Sequence, residues 1–397
     1  MAIRKTARAG VVAVLAAAVT ATAFSSPALA GSEKHRPKAH QETQRAMDAL
    51  VRAGIPGVIA ESRTDRGVWK GTSGVADLTT GKKRGTQDRF RAASITKTFV
   101  ATVLLQQEAD GLLSLDDTVE HWLPGVVRGN GNDGRKITVR QLLNHSSGLY
   151  EYTADPEYQR TYETEAFLKH RYDTVTPLER VRIGLAYQPD FAPGAQHQYS
   201  NTGYVLAGMI IEKVSGNSYE KEVVDRVLRP LGLRATTLPG DTVQMPRPSG
   251  RAYSRLSLDP AAPIHDVTDQ NGSFSWADGD IISTTSDLTR FLRALLQGEL
   301  LPPEQLRAMK TMLPADGRIG YADYGLGLYS YKTSCGVRVW GHSGGAPGSS
   351  NDLVGTEDGR HVVAVNTNGD WNWSQAIVDS QFCGKAVPKG LGKPRLP

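Results

Sequence analysis

Ser94-Ile95-Thr96-Lys97 sets a hydroxyl and an amine three residues apart at the head of an apolar run. Ile95, Phe99, Thr102, Val103 and Gln106 recur at helical spacing. Ser94 therefore reads as the first residue of a helix that enters the core and continues to about Glu108. Lys97 then lies one turn on, on the same face as Ser94. The helix start contributes unpaired N–H groups and partial positive charge. Together these supply a hydroxyl nucleophile, an amine able to take its proton, and backbone donors for a developing oxyanion. Alone, Ser-x-x-Lys is a weak pattern, because Ser is a common N-cap and a Lys one turn later is usually solvated. A second copy, Ser218-Tyr219-Glu220-Lys221, falls in a charged stretch and reads as a surface turn of helix.

Two further motifs carry chemistry. Tyr199-Ser200-Asn201 is the chain's one Tyr-x-Asn; it follows the turn Phe191-Ala192-Pro193-Gly194 and precedes an apolar helix. A phenol near a Ser–Lys pair can relay protons, and an amide can hold both the Lys and a substrate carbonyl. The plainer reading is a buried Tyr and a loop-forming Asn. His342-Ser343-Gly344 is the one His-x-Gly and ends a strand. Such an edge offers backbone groups to an extended substrate, or it is simply a strand running into a Gly-rich turn.

The elements that must position these residues are legible in part. Gln41 to Ala53 patterns as an amphipathic helix with Ala46, Met47, Leu50 and Val51 on one face. Gly57 to Arg63 and Val68 to Val75 read as strands joined by Asp65-Arg66-Gly67. The middle, from about 110 to 280, is helical, as at 139–143, 203–214 and 219–228. The last third turns to strands at 325–331, 336–341, 351–354 and 361–366, closed by a helix over 374–382. Strands at both ends around a helical insertion predict an α/β (α+β) fold. It is an antiparallel sheet flanked by helices, built from both chain ends, with an inserted all-helical lobe and the site between.

Met1 to Ala30 reads as a secretory signal: Arg4, Lys5 and Arg8, an Ala/Val-rich core from Gly10 to Phe24, and the small-x-small site Ala28-Leu29-Ala30. The core is too short for a stable membrane span. A secreted, extracellular product beginning near Gly31 is expected. Removing those three cations from 46 basic residues leaves 43 against 41 acidic ones, so the basic precursor says little about partners. No basic cluster with interleaved aromatics is present, which excludes the usual nucleic-acid binders. Apolar content of 39% and charged content of 22% are those of an ordinary globular chain. Cys335 and Cys383 are the chain's two cysteines. An even pair in an exported protein reads as one disulfide, here tying a strand to the last helix. Two Cys without spaced His partners make a poor zinc pattern; no metal or cofactor is expected.

In order, Ser94-Ile95-Thr96-Lys97, Tyr199-Ser200-Asn201 and His342-Ser343-Gly344 resemble the motifs of the penicillin-recognising serine hydrolases. In particular they are similar to secreted D-alanyl-D-alanine carboxypeptidases and their class C β-lactamase relatives. The resemblance runs through about residues 41 to 385. It includes Gly111-Leu112-Leu113-Ser114-Leu115-Asp116-Asp117, Leu142-Leu143-Asn144-His145-Ser146-Ser147-Gly148-Leu149, Ser275-Trp276 before Ile281-Ile282-Ser283-Thr284, Tyr324-Gly325-Leu326-Gly327-Leu328, and the placement of both cysteines. It implies one catalytic domain over 31–385, with an α/β lobe over about 41–105 and 280–385, a helical lobe over about 106–279, and a loose tail over 386–397.

The resemblance further implies an acyl-enzyme on Ser94, with Lys97 desolvated and taking the proton and Tyr199 protonating the leaving amine. Backbone N–H groups of Ser94 and Gly345 would form the oxyanion hole. Asn201, Trp276, His342, Ser343 and Gly344 would bind substrate, with Trp276 walling the cleft and His342 supplying positive character near a carboxylate. The implied partners are D-Ala-D-Ala stem peptides of peptidoglycan, with β-lactams as inhibitors acting on a monomer. The chain departs from the carboxypeptidase pattern at Gly345, where Thr often stands, and at Tyr329, where an Arg is expected.

Rival readings remain. Gly341-His342-Ser343-Gly344-Gly345 fits a Gly-x-Ser-x-Gly elbow, but little more than fifty residues follow for an Asp and a His. A chymotrypsin-like reading conflicts with the helical middle. The same architecture hosts esterases, D-amino-acid amidases and β-lactamases, and a non-catalytic penicillin-binding module is the reading from a different class.

Overall fold

The computed structural model describes residues 38–315, 323–371 and 374–385. The expected signal segment and the tail from 386 lie outside the described residues. The described residues pack as one unit.

Helix α1, Lys38–Arg52, buries Ala46, Met47 and Leu50 as its spacing predicts. Strands β1, Gly57–Thr64, and β2, Gly67–Gly74, form a hairpin in continuous register. Helix α2, Thr96–Ala109, is buried on nearly every side, so it is a central core helix with no solvent face. Helix α3, Asn201–Ser215, ends at Gly216 in the left-handed conformation. Helix α4, Thr285–Leu296, starts at Thr284, whose side chain accepts the Asp287 N–H. Strands β3, Leu313–Pro314, β4, Asp323–Tyr324, β5, Tyr329–Lys332, β6, Arg338–Ala346, β7, Ser349–Gly355, and β8, His361–Thr367, precede helix α5, Gln375–Cys383.

The main sheet has eight antiparallel strands in the order β2-β1-β8-β7-β6-β5-β4-β3. Strand β1 pairs with β8 along its length, Val58 opposite Thr367 through Thr64 opposite His361. The two chain ends therefore close the sheet, as the sequence predicts. Helices α1 and α5 cover one face and α4 the other, leaving an apolar core on each side. Hydrophobic burial on both faces fixes the register, since a slip of one residue would exchange the faces.

Several boundaries differ from expectation. Gly325 to Leu328 turns between β4 and β5 and is not strand. Strand β6 runs five residues past Gly341, and β7 begins at Ser349. Every residue of β7 is buried, including Ser349, Ser350, Asn351 and Asp352. A polar run has no strand-like alternation. It is tolerated here because these side chains are bonded: Ser349 Oγ and Asn351 Nδ2 both donate to the Arg91 carbonyl, at 2.8 and 3.0 Å. The helix expected over 219–228 is α-helical only to Val223 and continues as a wider π turn through Leu228.

Cys335 and Cys383 form the expected disulfide, with Cα atoms 5.7 Å apart and a sequence separation of 48. It joins the β5–β6 turn to the end of α5. In the chain-entropy treatment a loop of this length is worth about 4 kcal/mol. Replacing both cysteines by Ser should lower Tm by several degrees; two titratable thiols in native, unreduced protein, or an unchanged Tm, would exclude the bridge as a stabilising element.

Candidate active site

The chain enters the site along Phe90–Arg91, a short bridge paired with Ile282–Ser283. Ala93 then takes a left-handed conformation, φ 51°, which costs an L-residue about 1–2 kcal/mol. This elbow is followed by a single 3₁₀ turn over Ala93–Ile95, and α2 proper starts at Thr96. Ser94 therefore sits one turn earlier than a first α-helical residue, half-buried on a strained corner. The sequence pattern could not distinguish a 3₁₀ turn from the first turn of α2.

Lys97 is fully buried. Its Nζ lies 3.0 Å from Ser94 Oγ, 2.6 Å from Asn201 Oδ1 and 2.7 Å from the Asp278 carbonyl oxygen. Asn201 and Asp278 offer only acceptors there, so each takes one N–H. The Asn201 amide is oriented by Glu151: Nδ2 donates to Glu151 Oε1 at 3.1 Å, and the Asn201 backbone N–H donates to Glu151 Oε2. The carboxylate also sits at the N-terminus of α3, where negative charge is favoured. With two N–H groups committed, a neutral Lys97 amine has its lone pair left for the Ser94 hydroxyl. Burial pushes the Lys97 pKa down to about 8, opposed by the charges of Asp278 and Glu151. Desolvation wins because Nζ has lost all contact with solvent.

Asp278 is itself buried and pushed up to about 7. Its Oδ2 accepts the Tyr152 hydroxyl at 2.8 Å, so its carboxyl points away from Lys97 while its carbonyl holds it. The Tyr199 ring centroid is 4.9 Å from Lys97 Nζ, and its ring packs on His145 at 4.2 Å. His145, φ 58°, accepts the Ser200 N–H on Nδ1 at 3.2 Å. Burial holds its pKa well below the usual histidine value, so it is a neutral brace under Tyr199. Ser94, Lys97, Tyr199 and Asn201 thus converge on one place.

The third motif arrives on β6. Strand β5 pairs with β6 only as far as Tyr329 opposite Gly341, so among the described residues β6 has no strand partner on that side from His342 onward. Gly344 lies against the elbow: a Cβ there would stand 2.1 Å from the Ala92 carbonyl oxygen and 3.0 Å from Ser94 N. Only Gly permits that approach. Gly345, next along, is exposed, with open space where a Cβ would stand.

Three expectations are corrected. His342 is not a cation at the cleft. It is buried, Nε2 lies 2.8 Å from Tyr324 Oη and Nδ1 2.6 Å from the Ser343 carbonyl. A carbonyl only accepts, so Nδ1 carries the proton and Nε2 takes the Tyr324 hydroxyl. Burial, with the nearby Lys97, pushes its pKa to about 3. Ser343 points the other way by strand alternation and hydrogen bonds Tyr329. Trp276 does not wall the cleft. It is buried, its Nε1 donates to Glu220 at 3.1 Å, and it packs on Tyr219 and on Gly208 of α3. A Cβ on Gly208 would come within 2.9 Å of the indole. Trp276 supports the turn whose next residues deliver the Asp278 carbonyl.

Sequence reasoning missed Glu151, Asp278, Tyr152, His145 and Tyr324 as parts of the site. One carried a signal: Asp278, like Asp280 beside it, is an acid embedded in Trp276-Ala277-Asp278-Gly279-Asp280-Ile281-Ile282, a context in which burial is expected and a partner is needed. Ser218 does what its charged surroundings predict, capping the helix at Tyr219 while Lys221 pairs with Asp225.

Residues 41–378 match the Beta-lactamase family. Penicillin-binding protein 4* of Bacillus subtilis is 29% identical over 77% of this chain and 66% of its own length. Penicillin-binding protein 4 of Amycolatopsis lactamdurans is 28% identical over 83% of this chain and 85% of its own. Among solved structures, a D-stereospecific amidohydrolase from Streptomyces sp. superposes with a TM-score of 0.83 at 53% identity, covering 87% of this chain and 99% of that one. The D-amino acid amidase of Ochrobactrum anthropi follows at 0.76 and 27%, covering 88% and 98%. An eight-stranded antiparallel sheet between helices and a match across most of the chain lead to one conclusion: this protein belongs to the Beta-lactamase family and is a serine hydrolase of that fold.

Proposed function

We propose that the protein is a D-stereospecific amidohydrolase working through an acyl-enzyme on Ser94. The observation that carries the reading is Lys97: buried, two N–H groups committed to acceptors, and Ser94 Oγ 3.0 Å from the third position. Ser94 Oγ attacks the amide carbonyl carbon while its proton passes to Lys97 Nζ. The oxyanion is received by the N–H groups of Ser94 and Gly345. Tyr199 gives its phenolic proton to the leaving amine as the C–N bond breaks and recovers one from Lys97. Water then attacks the ester, and the acid leaves with Ser94 restored. The similarity to the Streptomyces amidohydrolase supports the D-amide substrate class.

Strict D-Ala-D-Ala carboxypeptidase is the second reading, supported by the penicillin-binding relatives. It would place peptidoglycan stem peptides as substrates and β-lactams as slow acylating inhibitors. The secretory pattern of residues 1–30 supports export for either reading. The charge of the site favours the amidohydrolase. Lys97 has no donor to spare, His342 is neutral, Ser343 faces Tyr329, and Glu151 and Asp278 add acids. A free terminal carboxylate would meet no cation from the third motif. Charge-assisted hydrogen bonds it would lack are worth roughly 1.5–3 kcal/mol each.

Substrate preference tests this directly. D-amino-acid amides and a C-terminally amidated D-Ala-D-Ala peptide should be turned over with kcat/KM at least equal to that of the free-acid peptide. A preference for the free acid of about a hundredfold or more, on the order of 2.7 kcal/mol, would replace the amidohydrolase with the carboxypeptidase.

Peptide mapping after exposure to a β-lactam should place the adduct on the Ser94 peptide. Lys97→Ala should slow acylation by about 10²–10⁴-fold and Tyr199→Phe by less, with substrate binding largely retained. An adduct on the Ser343 peptide, or full activity in Ser94→Ala, would move the nucleophile elsewhere.

The pH dependence has a definite sign. The base must be unprotonated, so kcat/KM should rise with pH through an inflection near 8, the value to which burial lowers Lys97. Asp278 raises that value by its charge but holds Lys97 by its carbonyl. Asp278→Asn keeps the contact and removes the charge, and should move the inflection to lower pH. An inflection that stays put, or moves up, would show that Lys97 is not the titrating base.

A further inference from the structure

Behind the elbow, away from Lys97, lies a second polar centre. Arg84 and Arg91 are buried, at 5% and 7% exposure, and both line a cavity of about 20 Å³ with Gly250, Pro347 and Asn368. Neither guanidinium is satisfied. Arg84 Nη2 donates to Asn366 Oδ1 at 2.8 Å, and Arg91 Nη2 to the Gln270 carbonyl at 2.6 Å. Arg84 Nε and Nη1 and Arg91 Nε have no hydrogen-bond partner among the described residues. The wall contributes one unpartnered acceptor, Asn368 Oδ1, against those three donor nitrogens. Leaving buried charged donors unmet costs several times what a neutral group would.

Nearby acids do not close the deficit. Asp88 approaches Arg84 Nε only to 3.4 Å and accepts the Gly85 N–H. Asp269 and Asp280 act on Arg91 from a distance, without a hydrogen bond to it, and burial pushes the Asp280 carboxyl well above its usual pKa. Desolvation accordingly pushes both arginines down to about 10. Arg251, on the same wall, is already paired with Asp77 and Asp266.

We propose that this cavity is a binding site for a small monoatomic anion, chloride in ordinary buffers, held between Arg84 and Arg91. The space is on the scale of one water-sized sphere, which excludes phosphate, sulfate and carboxylates. Its place in the fold gives the anion a structural role. From Arg84 a buried chain of amides runs through Asn366 Nδ2 to Asn351 Oδ1 at 2.9 Å, and from Asn351 Nδ2 to the Gly344 and Arg91 carbonyls at 3.1 and 3.0 Å. The Gly344 carbonyl belongs to the peptide that carries the Gly345 N–H, and Arg91 leads into the elbow. The anion terminates the network that fixes both walls of the Ser94 turn.

The test uses the full-length protein in sodium chloride and in sodium gluconate at equal ionic strength. Tm should rise saturably with chloride, by roughly 2 °C or more, and Arg84→Gln should lose that dependence. Crystals soaked in bromide should show an anomalous peak between Arg84 and Arg91. A water molecule there with no anomalous signal overturns the proposal. So does a bromide peak without any chloride dependence of Tm, which marks binding at crystal concentration only. A chloride response that persists in Arg84→Gln overturns it as well. Should Arg84→Gln fail to fold, the bromide map and the wild-type titration still decide.

Discussion

An ammonium group buried without a counter-ion is among the most expensive states a fold can hold. The surroundings of Lys97 are built around that cost. Its Nζ has no solvent, two neutral acceptors and a hydroxyl. Two acids stand near, but neither carboxylate forms a hydrogen bond to it: Glu151 acts through Asn201, and Asp278 turns its carboxyl to Tyr152. A direct ion pair would hold the amine protonated. Acids one shell away leave it titrating near 8, where both the charged and the neutral form are accessible. The arrangement needs Asn201 at the start of α3, Asp278 on the turn braced by Trp276, and Ser94 on an elbow. The rest of the molecule holds these three in register.

That register comes from the sheet. Strand β6 reaches the elbow because β1 and β8 close the sheet across the two chain ends, and β7 then carries β6 against Ala92. The contact is backbone on backbone. Gly344 has no room for a Cβ, and Asn351 on β7 bonds the carbonyls of both Gly344 and Arg91. A buried polar network of this kind is costly unless complete. In return it admits one position of β6 relative to Ser94, which an apolar interface would not specify as sharply. Polar residues in β7 are therefore part of the site's precision, although all of them are buried.

The architecture was legible because it rests on periodicity. Helix α1 repeats apolar residues at helical period, the turn residues Asp65-Arg66-Gly67 mark the first hairpin, and the paired cysteines announced their bridge. Ser94, Lys97, Tyr199 and Asn201 were legible through the spacing of three motifs, and the structure brings them together. Side-chain direction was not legible. His342, Ser343 and Trp276 have the right types for substrate contact, yet strand alternation and a left-handed turn at Trp276, φ 47°, send them elsewhere. Glu151 and Asp278 lie 54 and 181 positions from Lys97, so their effect on its charge needs tertiary proximity that no local pattern encodes. The beginning of β7 escaped for a related reason: its residues are buried by hydrogen bonding and not by hydrophobicity.

The neutrality of His342 follows from the same burial that lowers the Lys97 pKa. The two side chains share one desolvated region, and the charge of Lys97 contributes to lowering the His342 pKa. The influence is mutual: a cation at 342 would depress the Lys97 amine further, and both would lack solvent. Tyr324 resolves this by donating to Nε2, which fixes the imidazole as an acceptor there and leaves its one proton on Nδ1, donated to the Ser343 carbonyl. In the proposed mechanism that choice has a consequence for the leaving group. The site keeps a single titrating nitrogen beside the nucleophile and no fixed positive charge from His342 to Gly345, so a leaving amine without a carboxylate gives up the least interaction energy on entering. Base strength at Lys97 and recognition of a free C-terminus thus draw on the same electrostatic space, and in this chain the geometry favours the base.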